Sequence, residues 1–356
     1  MTASTHSASV VLEGVSKRFG EVAAVDNIDL RIEAGSLVTL LGPSGCGKTT
    51  TLRMIAGLET PTSGRIFIGD RDVTLLPPNE RDVSMVFQSY ALFPHMTVME
   101  NVAYGLQKSE LSRAERLAKG REGLKLVGLE GFERRRPSEL SGGQQQRVAV
   151  ARALVLEPKV LLFDEPLSNL DAKLRRRMRE EIRDIQLKLG LTSVYVTHDQ
   201  EEALAVSDSV VVMDRGIIAQ EGTPRDLYEK PANAFVADFV GGANLLPVEV
   251  EARDAKGGVV VALGNQRIRV THSDFNGQSA FLVVRPNAVT LSASPNAGSI
   301  PARIVKATYL GSHWEYSIEF GGQHLFITDT RGPSHENSAN VFVEFDPGKL
   351  VLIERR

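Results

Sequence analysis

The apolar run Ser36–Leu41 ends directly in the glycine-rich turn GPSGCGKTT, made of Gly42, Pro43, Ser44, Gly45, Cys46, Gly47, Lys48, Thr49 and Thr50. Strand, glycine turn and helix in this order match G-x-x-x-x-G-K-[ST]. In that motif the backbone N–H groups and the positive end of the following helix face phosphate oxygens. Far downstream, LSGGQQQR (Leu140 to Arg147) is a second glycine turn feeding a helix, with Ser141 in the cap position. One nucleoside triphosphate needs one such cradle. Two different cradles in one chain imply a ligand gripped from two sides.

A strand that enters such a turn predicts an α/β domain, and other runs agree. KVLLFDEP (Lys159–Pro166), SVYVTHD (Ser193–Asp199) and SVVVMDRG (Ser209–Gly216) are continuously apolar until they end in polar residues. Strands covered on both faces read this way, which predicts a largely parallel sheet within residues 8–240. Ligands of such sheets sit at the carboxyl ends of the strands, so Gly42, Asp164, Glu165 and His198 can converge. Residues 95–155 are mostly helical in pattern and read as an inserted helical subdomain. From Asp171 to Leu189 an apolar stripe of Leu174, Met178, Ile182, Ile185 and Leu189 predicts an amphipathic helix. Residues 241–356 change character. Short runs such as VEVEA, FLVVRP, EYSIEF and VFVEF, separated by turn residues, predict a small all-β barrel or sandwich, with a boundary near Gly241-Gly242.

Composition narrows the function. The chain has 356 residues, 42% of them hydrophobic, enough for two or three cored domains. A net charge of −3 gives no basic field for nucleic acid or acidic lipid. The lone Cys46 excludes an internal disulfide and fits a reducing compartment. MTASTHSASVVLEG lacks a basic segment followed by an apolar one, so no secretory leader is expected. Val83–Met99 has no Asp, Glu, Lys or Arg, but it carries Gln88, Ser89, Pro94 and His95 and is too short to span a bilayer. A membrane role would come through a partner.

The residue types assign roles. Lys48 would reach the β and γ phosphates, and Thr49 with Asp164 would hold Mg²⁺. Glu165 would polarise an attacking water as general base. Cys46 lies near a helix N-terminus, where a thiol pKa tends to fall, so its alkylation is expected to block nucleotide binding.

With these motifs in this order, the chain resembles the ATP-binding subunits of ABC transporters across about residues 8–240. The resemblance implies a P-loop NTPase fold of mixed sheet and helical subdomain, with ATP and Mg²⁺ as ligands. It implies a homodimer in which Ser141, Gly142, Gly143 and Gln144 of one copy close over nucleotide held by the other. It implies that Phe19 stacks on adenine and that Gln88 contacts the metal and the attacking water. Asp171 would couple the two sites, and His198 would contact the γ-phosphate. Tyr90, Leu92, Phe93 and His95 would lie where a membrane permease docks. Residues 241–356 resemble the oligonucleotide-binding-like (TOBE-like) barrel that follows this domain in bacterial importers. Lys and Arg are scattered there, so nucleic acid is not expected as a partner, and Trp314 and Tyr316 read as core. The resemblance implies a peripheral subunit on the cytoplasmic face of the inner membrane, served indirectly by a substrate-binding protein. The group includes importers of polyamines, ferric iron, 2-aminoethylphosphonate and sugars. A soluble ABC-type ATPase acting on nucleic acid or ribosomes, or a mainly regulatory ATPase, is the alternative.

Overall fold

A computed structural model describes residues 7–253, 258–263, 266–271, 275–296, 298–330, 335 and 340–355. Residues 1–6 of the segment read for a leader lie outside the described residues. The chain divides into two compact units, Met1–Pro224 and Arg225–Arg356.

In the first unit a six-stranded sheet runs in the order Ile217–Gly222, Ser209–Asp214, Leu37–Leu41, Thr192–Thr197, Val160–Asp164, Val83–Val86. All neighbours are parallel except the edge strand Ile217–Gly222. Every residue of Leu37–Leu41, Val160–Asp164 and Thr192–Thr197 is buried, as the continuous apolar runs predicted. Alternate side chains serve two cores. Leu161, Phe163 and Tyr195 join the helical layer, while Val160, Leu162, Val194 and Val196 join the opposite face. The opposite face is closed by the helix Lys48–Ala56 and by an antiparallel sheet of Val22–Ile32, Val10–Phe19, Ser63–Ile68 and Arg71–Asp72.

The helical layer carries Val98–Ala103, Arg113–Leu126 and Gly142–Leu154. Each begins with a reciprocal capping box, Thr97–Glu100, Ser112–Glu115 and Ser141–Gln144 respectively. The amphipathic helix spans Ala172–Leu189, capped by Asp171 and ended by Gly190 in the left-handed region, and it buries Met178 and Ile182. Among the described residues no helix is long and apolar enough to cross a membrane.

The second unit has two five-stranded antiparallel sheets around one core. Tyr316 is fully buried there and stacks on Trp314. The units divide earlier than Gly241-Gly242, and Arg285 gives the reason. Its buried guanidinium donates to the carbonyls of Tyr228, Ala237 and Val240, so the helix Ala234–Phe239 belongs to the β unit.

Candidate functional site

The glycine turn is locked by close backbone packing. A Cβ on Gly42 would lie 2.4 Å from the Met213 carbonyl oxygen, and one on Gly47, at φ 108°, 2.5 Å from that of Ala24. Gly47 caps the helix Lys48–Ala56 without any side-chain acceptor, which leaves first-turn N–H groups for an anion. Lys48 is 5% exposed, and its Nζ donates to the carbonyls of Gly42 (2.7 Å) and Pro43 (2.8 Å). The ammonium therefore lies along the inside of the turn. Ser44 and Gly45 are exposed, whereas Thr49 and Thr50 are half-buried.

Cys46 corrects the sequence reading. Its side chain is buried and belongs to the apolar cluster with Val25, Leu40 and Met213. Burial pushes the thiol up from its ordinary range despite the opposing charge of Lys48. The helix terminus does not prevail, because the sulfur has left water.

Strand pairing assembles the rest. Leu41 is level with Thr197, and Asp164 with Val196, so the residues just beyond each strand meet at one edge. Thr49 Oγ1 donates to Asp164 Oδ1 at 3.3 Å. Burial pushes the Asp164 carboxyl up, opposed by Thr49 and Arg53, and the neighbouring Glu165 charge adds to the rise. Glu165 takes φ 44°, a left-handed conformation that costs a non-glycine residue about 1–3 kcal/mol. Its N–H bonds the Val196 carbonyl at 3.1 Å, and its Oε2 lies 3.2 Å from Nδ1 of the exposed His198. Gln88 is bound elsewhere. Its Nε2 donates to Ser168 Oγ (3.2 Å), which donates to the Glu165 carbonyl, and its own carbonyl accepts from Asn169 Nδ2. Among the described residues no hydrogen bond joins Gln88 to Thr49 or Asp164.

The chain matches the model of the ABC transporter family over residues 25–168 and that of the TOBE domain over 282–353. It is 57% identical to the Fe(3+) ions import ATP-binding protein FbpC of Agrobacterium fabrum, across 97% of this chain and 98% of that one. It is 49% identical to the protein of that name in Vibrio cholerae, across 97% of each. The chain belongs to the ABC transporter family. Among solved structures it resembles the ATP-binding cassette MJ0796 in a dimer bound to ADP and Pi, at 35% identity with a TM-score of 0.54. That match covers 61% of this chain and 99% of the other. It also resembles cbiO1 of Clostridium perfringens at 29% identity and a TM-score of 0.58, covering 62% of this chain and 90% of the other. The chain is thus an ATPase of the ABC transporter type.

Other residues expected at the site lie outside this cluster. Phe19 is 51% exposed, with Lys17 Nζ 4.9 Å from its ring centroid, so it is not a core residue. Ser141 and Gly142 are exposed, and among the described residues no hydrogen bond links Ser141–Gln144 to the glycine turn. Gly143 has a packing role, since a Cβ there would meet Leu174 Cδ1 at 3.0 Å. Asp171 Oδ1 accepts from Leu174 N at 3.0 Å.

Behind His198 lies a network the motifs did not announce. Glu202 is 3% exposed and accepts from Tyr195 OH (3.1 Å) and Thr197 Oγ1 (2.8 Å). Arg175 faces it at 3.6 Å and binds Asp199 at 3.2 Å. Burial pushes the Glu202 carboxyl up. Two polar residues on the helix after a histidine, spaced like Asp199 and Glu202, were the available signal.

A groove of about 470 Å³ opens beside Val83–Val86, lined by Leu58, Phe87, Ala91, Phe93, Tyr104 and Leu156 among others. Of the four residues expected at a docking surface, Phe93 lines it. His95 is exposed, and Leu92 packs partly against the core. The Tyr90 side chain is 6% exposed within the core cluster, which corrects its assignment as a contact residue.

Proposed function

We propose that this chain is the ATP-hydrolysing subunit of a ferric-iron importer and works as a homodimer that closes on two MgATP. The observation that carries this reading is the meeting of Lys48, Thr49, Asp164, Glu165 and His198 at one sheet edge, with Ser141 exposed elsewhere. The ferric cargo is inferred from the relatives, which are Fe(3+) ions import ATP-binding proteins.

On binding, Lys48 exchanges the loop carbonyls for β and γ phosphate oxygens, and Phe19 stacks on adenine. The oxygen set of Thr49 and Asp164 suits Mg²⁺, and the burial of the Asp164 carboxyl, with Glu165 beside it, favours a cation there. Held by Thr49 and Asp164, the cation would supply neutralisation of the charge that develops on the phosphates. Glu165 polarises the attacking water, while His198 beside it orients that water and the γ-phosphate. Gln88, held through Ser168 and Asn169, senses the same water. Ser141 through Gln144 of the second copy donate to the γ-phosphate, and Asp171 couples the two sites. The apolar groove at Phe93 receives a helix of the permease at the cytoplasmic face of the inner membrane. A substrate-binding protein acts through that permease.

Ferric-iron uptake by cells carrying wild type or Glu165→Gln, read together with phosphate release from purified protein, tests this. The variant should lose about 10²-fold or more in turnover, accumulate as an ATP-bound dimer and abolish iron uptake. Wild-type turnover would remove Glu165 from the base role, and normal iron uptake without the chain would remove the cargo assignment.

A further inference from the structure

Tyr90 and Ala91 are consecutive non-glycine residues at positive φ, 60° and 47°. Side chains disfavour that region, so such a pair persists only where its surroundings hold it. The holding group is Arg152. Its Nη1 donates to the Ala91 carbonyl at 2.6 Å and its Nη2 to the Tyr90 carbonyl at 2.8 Å. A planar guanidinium suits two adjacent carbonyls, whereas an ammonium on a flexible stem does not hold both in one plane. Arg152 is half-buried, and burial lowers its pKa. Among the described residues no carboxylate lies within ion-pair distance of it, so the turn's carbonyls compensate its desolvation. On the other side, the Tyr90 ring anchors the turn in the core.

Both ends of this contact matter. Arg152 stands in the last turn of the helix Gly142–Leu154, whose first turn follows Ser141. That helix has 13 residues and is about 20 Å long. Ala91, Phe93 and Arg152 itself line the apolar groove, and the guanidinium lies 6.0 Å from the Phe93 ring.

We propose that Arg152 is a positioning residue that couples the signature helix to the permease groove by clamping the left-handed Tyr90–Ala91 turn. Shifts of the helix when Ser141 engages nucleotide reach the groove wall through two hydrogen bonds, and permease movements return the same way. The clamp deepens the proposed function, and its coupling role rests on that reading.

The test uses the full chain, alone and assembled with permease and loaded binding protein in proteoliposomes. Arg152→Ala should lower the ratio of permease-stimulated to unstimulated ATP turnover at least about tenfold, equivalent to ~1.4 kcal/mol. In the isolated chain it should speed amide exchange across residues 87–96 by a similar factor. Arg152→Lys should fall between. Ala91→Gly added to Arg152→Ala should recover much of the exchange loss, because glycine takes positive φ without the side-chain penalty, but not the stimulation ratio, because the two hydrogen bonds that carry the coupling stay absent. The proposal is overturned if Arg152→Ala leaves ratio and exchange unchanged. It is equally overturned if both losses occur and glycine at 91 leaves exchange across 87–96 as fast as in Arg152→Ala, or restores the stimulation ratio without the two hydrogen bonds, since Arg152 then does not act through the turn. If Arg152→Ala does not fold, Arg152→Lys decides: wild-type exchange across 87–96 in that variant overturns the clamp. Absence of permease stimulation in wild type would instead defeat the importer reading, while the exchange measurement still judges the clamp.

Discussion

Replacing Glu202 by alanine removes the acceptor that holds the wall behind His198. Two buried donors, Tyr195 OH and Thr197 Oγ1, lose their partner, and Arg175 loses the carboxylate it faces. An orphaned buried donor costs about 1–3 kcal/mol. The gross loss from two is therefore roughly 2–6 kcal/mol. Part is offset, because the buried carboxylate was itself costly to desolvate, as its raised pKa records. A net loss of about 2–3 kcal/mol, at ~2–4 °C per kcal/mol for a unit this size, lowers the unfolding midpoint by on the order of 5–10 °C. The catalytic effect is separate. Thr197 and Asp199 flank His198, and the Asp199 N–H bonds Thr197 Oγ1 at 3.0 Å. Loosening both lets His198 drift from Glu165 without removing either group, so ATP turnover should fall by about tenfold, less than the roughly 10²–10⁴-fold that a positioned acid–base group contributes. ATP affinity should hold, because among the described residues no hydrogen bond or ion pair joins the Glu202 side chain to the glycine turn. Glu202→Gln keeps one acceptor oxygen and should lose less than half as much stability. Thermal unfolding, single-turnover phosphate release and equilibrium nucleotide binding measure the three quantities. Unchanged stability and turnover, or a loss confined to ATP affinity, would refute the reasoning.

Two further outcomes are expected. Cys46 in the native chain should react with a maleimide far more slowly than in the denatured chain, since the thiol is buried and its pKa is raised; equal rates would contradict the burial. Asp208 is partly buried, which pushes its carboxyl up, but Arg183 and the Leu37 N–H overcome that and hold it below the ordinary range. A depressed folded pKa stabilises above the unfolded value of about 3.9 and loses that contribution as pH falls through the folded value. Asp208→Asn should therefore be less stable than wild type by ~1 kcal/mol at neutral pH, a figure discounted for solvent screening. The gap should close in acid. A gap independent of pH in chemical denaturation would rule this out.

Much of the fold was legible because the signals were local. Four apolar runs ending in polar residues became four strands, consecutive in the central sheet in the order Ser209–Asp214, Leu37–Leu41, Thr192–Thr197, Val160–Asp164. The stripe from Leu174 to Leu189 became one helix, which Asp171 caps. The antiparallel sheet of Val10–Phe19 and Val22–Ile32 was not read, because its strands alternate and bulge and give no continuous apolar run. The division of the compact units at Pro224–Arg225 was not legible, because a buried arginine at position 285 recruits a helix that looks, by pattern, like the end of the preceding domain.

The amino-acid order by itself determined the chemistry available at the site. A lysine after a glycine turn, carboxylates at a strand end and a histidine at another strand end are local facts. Only the tertiary structure decided which of these groups face one another, and which side chains leave the surface. Register pairs Asp164 with Val196 and so brings Glu165 to His198. Packing buries Cys46 and Tyr90, reversing what their neighbours in sequence suggested. Arg152 and the Tyr90–Ala91 turn meet across sixty-one residues. The physical reason is common to all three. Desolvation, register and hydrogen-bond satisfaction depend on which distant segment lies alongside, and no local pattern specifies that.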